Sequence, residues 1–188
     1  MKLSILIPTL PDRFNYLKRL KNILEPQVAR YPGEVEIKIH DGGRQFTTGR
    51  KRNELIAMSD GEYFIQVDDD DLVPVYYVDE LMKAIAQGPD VVSFIGYMTT
   101  DGRNKQNFTI KLGSKYETVN NHHYRYPNHL CCYKRSTVAG ILFPDITVTE
   151  DFQWAHRVNQ LGVLKKEVHI DKEMYFYDYR SKKGTQLR

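Results

Sequence analysis

The chain has 188 residues and a formal net charge of +3 at pH 7, and 41% of its residues are hydrophobic. That is enough chain for one domain with its own core, and it excludes a disordered polymer. No run approaches the roughly 18 apolar residues of a membrane span, and the mild positive charge permits an anionic partner without requiring one.

The first apolar run, Lys2 to Ile7, reads as a buried strand that Pro8 and Pro11 stop. It is too short for a signal peptide. Asp12 is placed to cap a helix from Arg13 to about Leu24, with Phe14, Leu17, Leu20 and Leu24 on one face, and Pro26 and Pro32-Gly33 mark the loop after it. Val35 to His40 alternates as a strand, and Asp41-Gly42-Gly43 turns it. Arg50 to Ser59 reads as a helix, Tyr63 to Val67 as a strand, Pro74 to Gln87 as an amphipathic helix and Val91 to Met98 as a further strand. Asp101-Gly102 predicts a hairpin with Phe108 to Leu112. Alternating strands and helices predict an α/β fold with a mostly parallel sheet flanked by helices, whose ligands bind beyond the carboxyl ends of the strands.

The second half is less regular. Residues 113 to 129 read as a long loop rich in Asn, His and Tyr, Leu130 to Tyr133 as a short strand, and Ser136 as the cap of a short helix. Asp151 to Leu161 is a helix that Gly162 ends, and Val163 to Ile170 and Met174 to Tyr179 are strand-like. The division expected is one domain over residues 1–180 and a flexible basic tail over 181–188. Cys131 and Cys132 are adjacent, which disfavours a bridge and reads as reduced thiols in a cytoplasmic protein.

Asp68-Asp69-Asp70-Asp71 follow a buried-looking strand. Adjacent carboxylates repel, so a cation is expected among them. Mg²⁺ and Mn²⁺ prefer such oxygens and usually share them with substrate phosphates. The alternative is a solvated acidic turn. Arg50, Lys51 and Arg52 open a helix against its dipole, which makes sense beside a bound anion. For Arg50 and Lys51 a surface turn is the simpler reading; Arg52, beside Leu55 and Ile56, is the candidate for function. Thr149-Glu150-Asp151 suits an ordinary N-cap, or else holds a general base near a nucleotide. His122 and His123 read as polar loop residues and His129 as facing a groove. Trp154 is read as core, with an acceptor contact as its functional alternative.

Ser4-Ile5-Leu6-Ile7-Pro8-Thr9, Asp41-Gly42-Gly43, Arg52-Asn53, Gly61-Glu62-Tyr63, Asp68 to Asp71, Glu150-Asp151 and Tyr177-Asp178-Tyr179-Arg180 occur in that order. The series, from about residue 2 to about residue 180, resembles the family 2 glycosyltransferases with the GT-A fold. The resemblance implies that Pro8, Thr9 and Arg13 line the nucleotide pocket. Asp41, with Gly42 beside it, meets the base, and Arg52 lies beside the nucleotide. The D-x-D motif falls on Asp68-Asp69-Asp70, with Asp70 the main ligand of Mn²⁺ or Mg²⁺ and Asp68 or Asp69 reaching the ribose or the metal's water shell. Asp151, next to Glu150, is the implied base, and the segment at Tyr179-Arg180 closes the donor site. His129 and Trp154 are the acceptor-side candidates. Three departures stand out: His40-Asp41 replaces a pair of acids, Leu10-Pro11-Asp12 replaces an aromatic and an asparagine, and the chain is short.

The function implied is a metal-dependent, inverting transfer of one sugar from a nucleoside-diphosphate sugar, UDP-sugar favoured, to an acceptor hydroxyl on a glycan or a modified DNA base. The other readings are a nucleotidyltransferase, which releases pyrophosphate, and a nucleic-acid-binding module.

Overall fold

The computed structural model describes residues 1–179; the expectations for Arg180 and for a tail over 181–188 lie outside the described residues. Strands β1 (Leu3–Pro8), β2 (Val35–His40) and β3 (Tyr63–Gln66) run parallel in the order β2-β1-β3. Leu3, Ile5, Leu6, Ile7 and Ile65 are fully buried, as expected of strands covered on both faces. The steps from β1 to β2 and from β2 to β3 move in opposite directions. Right-handed crossovers therefore send α1 (Phe14–Val28) and α2 (Thr48–Met58) to opposite faces. α1 packs on α3 (Tyr77–Ile85), and α2 packs on α4 (Glu150–Leu161).

The sheet as a whole is mixed, and the expected mostly parallel arrangement holds only for its first half. β8 (Cys132–Lys134) lies antiparallel between β3 and β4 (Val91–Thr100). β4 then pairs with β5 (Arg103–Ile110) as the expected hairpin. Along its other edge β4 runs parallel with β9 (Glu167–Tyr179). β9 is one strand where two were expected, because bulges opposite Phe94 to Gly96 let the polar stretch Asp171 to Glu173 stay exposed without breaking the ladder.

Other local expectations are corrected. α1 runs through Pro26, at the loss of one helical hydrogen bond. Gln27 offsets that loss: its Nε2 donates to the carbonyls of Ile23 and Pro74 (both 3.0 Å), and its Oε1 accepts from the Val78 amide (3.0 Å). Asp12 does not cap α1; it pairs with Arg44 at 2.7 Å. The segment 113–129 contains β6 (Glu117–Val119) and β7 (His122–Arg125), so His122 and His123 sit on a strand. Ser136 caps no helix; residues 135–140 form turns. Leu130 belongs to the turn before β8. Among the described residues no helix is long and apolar enough to cross a membrane.

Candidate functional site

The carboxyl ends of β1 and β3 and the start of α4 open on one cleft of about 580 Å³. Thr9 ends β1, and its hydroxyl donates to Asp69 at 2.5 Å. Arg13 clamps the same carboxylate through Nε at 2.9 Å and Nη2 at 2.5 Å, and reaches Asp70 at 2.6 Å. Burial raises the Asp69 carboxyl above its ordinary value, and the bonds from Arg13 and Thr9 work against that rise. Arg13 is itself desolvated, but Asp69 and Asp70 more than compensate and push it above the usual arginine value.

Arg52 is buried, at 3% exposure. Its guanidinium donates to Gln66 Oε1 (2.7 Å), Asp68 Oδ1 (2.9 Å) and Glu150 Oε1 (3.2 Å). One side chain of α2 thus joins the end of β3 to the start of α4. Burial opposes its charge, yet Asp68 and Glu150 hold its pKa above the ordinary value. Burial also opposes ionisation of Asp68, but Arg52 and then His129 win and hold it well below the carboxylate range. Burial dominates at Glu150 and raises it. At Asp71, burial and the neighbouring Asp68 and Asp70 push the carboxyl well above its ordinary value. The Tyr175 hydroxyl answers this by donating to Asp71 Oδ2 (2.7 Å) while accepting from the Asp68 amide (3.2 Å).

His129 stands between Asp68 and Asp151. Its Nε2 is 3.5 Å from Asp68 and its Nδ1 is 3.4 Å from Asp151, and Nδ1 is buried without a hydrogen bond. Both separations are long for hydrogen bonds, so the ring spans the gap between the acidic quartet and α4 without closing it. Asp151, exposed to 39% at its side chain, lines the cleft. The residue at the N-cap of α4, Thr149, sits at φ 69° and makes no capping bond, in place of the ordinary cap the sequence suggests. A β-branched residue in the left-handed region is strained by about 1–3 kcal/mol, and such strain gathers at functional sites.

Pro8, Thr9, Arg13, Arg52, Asp68, Asp69, Asp70, Glu150 and Asp151 therefore meet in one cleft. Asp41 and Gly42 do not line it. Asp41 is exposed, and the Gly42 carbonyl receives the Lys51 ammonium. Trp154 reaches no cleft: it is 1% exposed, stacked on Phe143 at 4.5 Å, with its indole N–H on the Ile141 carbonyl at 2.8 Å. The acceptor alternative for Trp154 gives way to the core reading, because its one polar atom is already satisfied.

Three participants escaped the sequence reading. Lys51 is no surface cation; it is 4% exposed and donates to the carbonyls of Thr9 (2.7 Å) and Gly42, tying the ends of β1 and β2 together. Phe46 lines the cleft, flanked by Arg50 at 4.8 Å and His40 at 5.4 Å. The sole signal for it was a lone aromatic in a polar loop. Gly49 lets α2 dock on the segment that leads to Asp151: its amide donates to the Ile146 carbonyl (3.0 Å), and a Cβ there would overlap the Pro144 carbonyl oxygen. That close approach has no local sequence signature.

As for a metal, Asp70 is the most open partner in the Arg13 ion pairs, at 37% side-chain exposure, and it lines the cleft with Asp68. Among the described residues no group of three His, Cys, Asp or Glu forms a ready-made metal site. Two open carboxylates suit Mg²⁺ or Mn²⁺ when phosphate oxygens and water complete the shell, and would not suit a metal that needs an all-protein cage.

The sequence profile of "Glycosyl transferase family 2" matches residues 17–141. The chain belongs to that family. Among solved structures, that of S. aureus TarS 1-349 in complex with UDP-GlcNAc shares 18% identity at a TM-score of 0.71, covering 100% of this chain and 61% of that one. TarS 1-349 in complex with UDP matches at 18% identity and a TM-score of 0.69, covering 95% and 60%. TarS itself matches at 16% identity and a TM-score of 0.65, covering 95% of this chain and 37% of that one. The chain thus has a GT-A-like fold and spans about 61% or less of the length of these TarS chains. No curated protein matches the sequence significantly.

Proposed function

We propose that this chain moves one sugar from a nucleoside-diphosphate sugar to an acceptor hydroxyl with inversion, assisted by Mn²⁺ or Mg²⁺. The observation that carries the reading is the meeting of Asp70, Arg13 and Asp151 in a single cleft at the strand ends of a family 2 fold. A UDP-sugar is the favoured donor, since the TarS structures named above hold UDP-GlcNAc and UDP.

The chain's own residues divide the work. Phe46 offers an apolar wall for a nucleotide base. Lys51 holds the ends of β1 and β2 in place by its two carbonyl contacts. Arg13 fixes Asp69 and steadies Asp70, and the partly exposed Asp70 and Asp68 present oxygens to the donor. A metal bound at Asp70 and Asp68 would supply positive charge opposite the departing diphosphate. Asp151 accepts the proton of the attacking hydroxyl. The acceptor oxygen bonds to the anomeric carbon as the bond from that carbon to the diphosphate oxygen breaks, and the electron pair leaves with the nucleotide. One base and one displacement invert the anomeric centre, in contrast to the paired carboxylates of retaining hydrolases.

The test is an assay of nucleotide release from a panel of nucleoside-diphosphate sugars, with product configuration read by NMR. Release of a nucleoside diphosphate with an inverted product supports the reading. Absence of nucleoside diphosphate release from every donor, or a retained anomeric configuration, would overturn it.

A further inference from the structure

A second cleft, about 280 Å³, joins the first at Asp68 and Asp151. Met98 of β4 and Phe108 and Ile110 of β5 line it with apolar surface, and Arg125 of β7 lines it with a cation.

The geometry of Arg125 is unusual for a charged residue. Its Nη1 donates to the carbonyls of Glu117 (2.9 Å) and Tyr124 (2.7 Å), its Nη2 lies 3.3 Å from His123 Nδ1, and its guanidinium stacks 4.6 Å from the Tyr116 ring. Every one of these partners is neutral: burial, and then the charge of Arg125 itself, hold His123 below its ordinary pKa. Among the described residues Arg125 makes no ion pair, whereas Arg13 and Arg52 each face two acids. A guanidinium fixed by neutral groups keeps its charge and part of its donor fork for a carboxylate or phosphate.

None of the cleft's three acids forms an ion pair with Arg125: Asp68 and Asp151 lie where the two clefts join, and Asp71, which lines the second cleft, is bonded by the Tyr175 hydroxyl. The cleft therefore combines carboxylates, an arginine in no ion pair and an apolar floor.

We infer that this second cleft seats the acceptor, and that the acceptor carries a phosphate or carboxylate which docks on Arg125 while its hydroxyl meets Asp151. The inference rests on the glycosyl-transfer reading and adds the acceptor's chemical class to it. At about 280 Å³ the cleft lies at the small end of ligand pockets, roughly 300–1,000 Å³, so one sugar ring or one short polyol unit fills it.

The experiment is direct binding to the full chain, followed by NMR, of glucose 6-phosphate, glucuronate and glucose, and of glycerol 3-phosphate, glycerate and glycerol. The phosphate and carboxylate arms separate the two anion chemistries. A charged member of at least one series is expected to bind at least ~10-fold more tightly than its neutral counterpart. Arg125→Gln is expected to erase that preference and Arg125→Lys to keep part of it. Met98→Trp, which fills the floor while leaving Arg125 in place, is expected to abolish binding of all six. Equal binding of charged and neutral members, or a preference that survives Arg125→Gln, would overturn the inference. Binding of UDP is measured on the same samples. Its absence beside an intact Arg125-dependent preference would strike the transfer reading and leave the anion site standing.

Discussion

The two sides of the junction at Asp151 treat charge in opposite ways. On the donor side Arg13 and Arg52 each hold two carboxylates, and Lys51 is buried on two carbonyls. On the other side Arg125 leans on neutral groups, and His129 Nδ1 has no hydrogen bond. The first arrangement builds a rigid frame before any ligand arrives, because four adjacent aspartates would otherwise repel one another. The second leaves binding capacity unspent. A fold that binds one constant partner and one variable partner would divide its charges in this way.

The sharpest break in the comparison lies at the junction itself. Asp151→Asn is expected to lower kcat by about 10²–10⁴-fold while donor affinity stays within about twofold, since a general base contributes in the transition state and little to ground-state binding. Calorimetry and steady-state kinetics on the same sample separate the two. Normal turnover by this variant would remove the base assignment.

The paired side should fail through stability. Arg52→Gln leaves the buried Glu150 and the half-buried Asp68 without their cation, and losing one partner of a buried pair costs about 3–5 kcal/mol. The melting temperature should fall by roughly 6–20 °C. Arg52→Lys should not restore it, because an ammonium cannot reproduce a planar fork that serves Gln66, Asp68 and Glu150 together.

Gly49→Ala tests whether the α2 contact sets the position of the base. The added methyl must displace the Pro144 carbonyl and with it the segment running to Asp151. Misplacement by about 1 Å lowers kcat up to ~10²-fold. Donor affinity, read by calorimetry, should change less than kcat.

The smallest effect concerns Asp71. A carboxyl whose folded pKa lies above its unfolded value supports folding fully below the unfolded pKa, and that support fades as pH rises through the folded pKa. Asp71→Asn keeps an acceptor for the Tyr175 hydroxyl and removes the titration. In metal-free buffer the variant is expected to melt above wild type at pH 8, and to lose that advantage towards pH 3. Thermal scans across pH provide the check.

The same division explains what the sequence made legible. In the parallel half one α-helix joins each strand to the next: apolar runs became β1 and β3, Val35–His40 became β2 at its expected bounds, and the clusters after them stood at strand ends. Local pattern was enough there because crossover handedness did the rest. Beyond β4 the pairings span long separations, as where Val91 meets Tyr133 on one side and Glu167 on the other. No local pattern reports those contacts, so β9 was cut in two; β6 and β7 form a local hairpin about Asn120 and Asn121, both at positive φ, and their polar composition hid it. The same limit hid Lys51 and Gly49, whose roles arise from contacts with distant backbone. Arg52 was legible because a cation flanked by Leu55 and Ile56 had to find acids inside.

The most direct measurement is titration of UDP into the full chain by calorimetry, with and without Mn²⁺, in wild type and in Asp70→Asn. The expected result is UDP binding that Mn²⁺ tightens by at least ~10-fold in wild type and leaves unchanged in the variant. Heat of binding that is absent in both proteins, or identical with and without the ion in wild type, would contradict a donor site built on the acidic quartet.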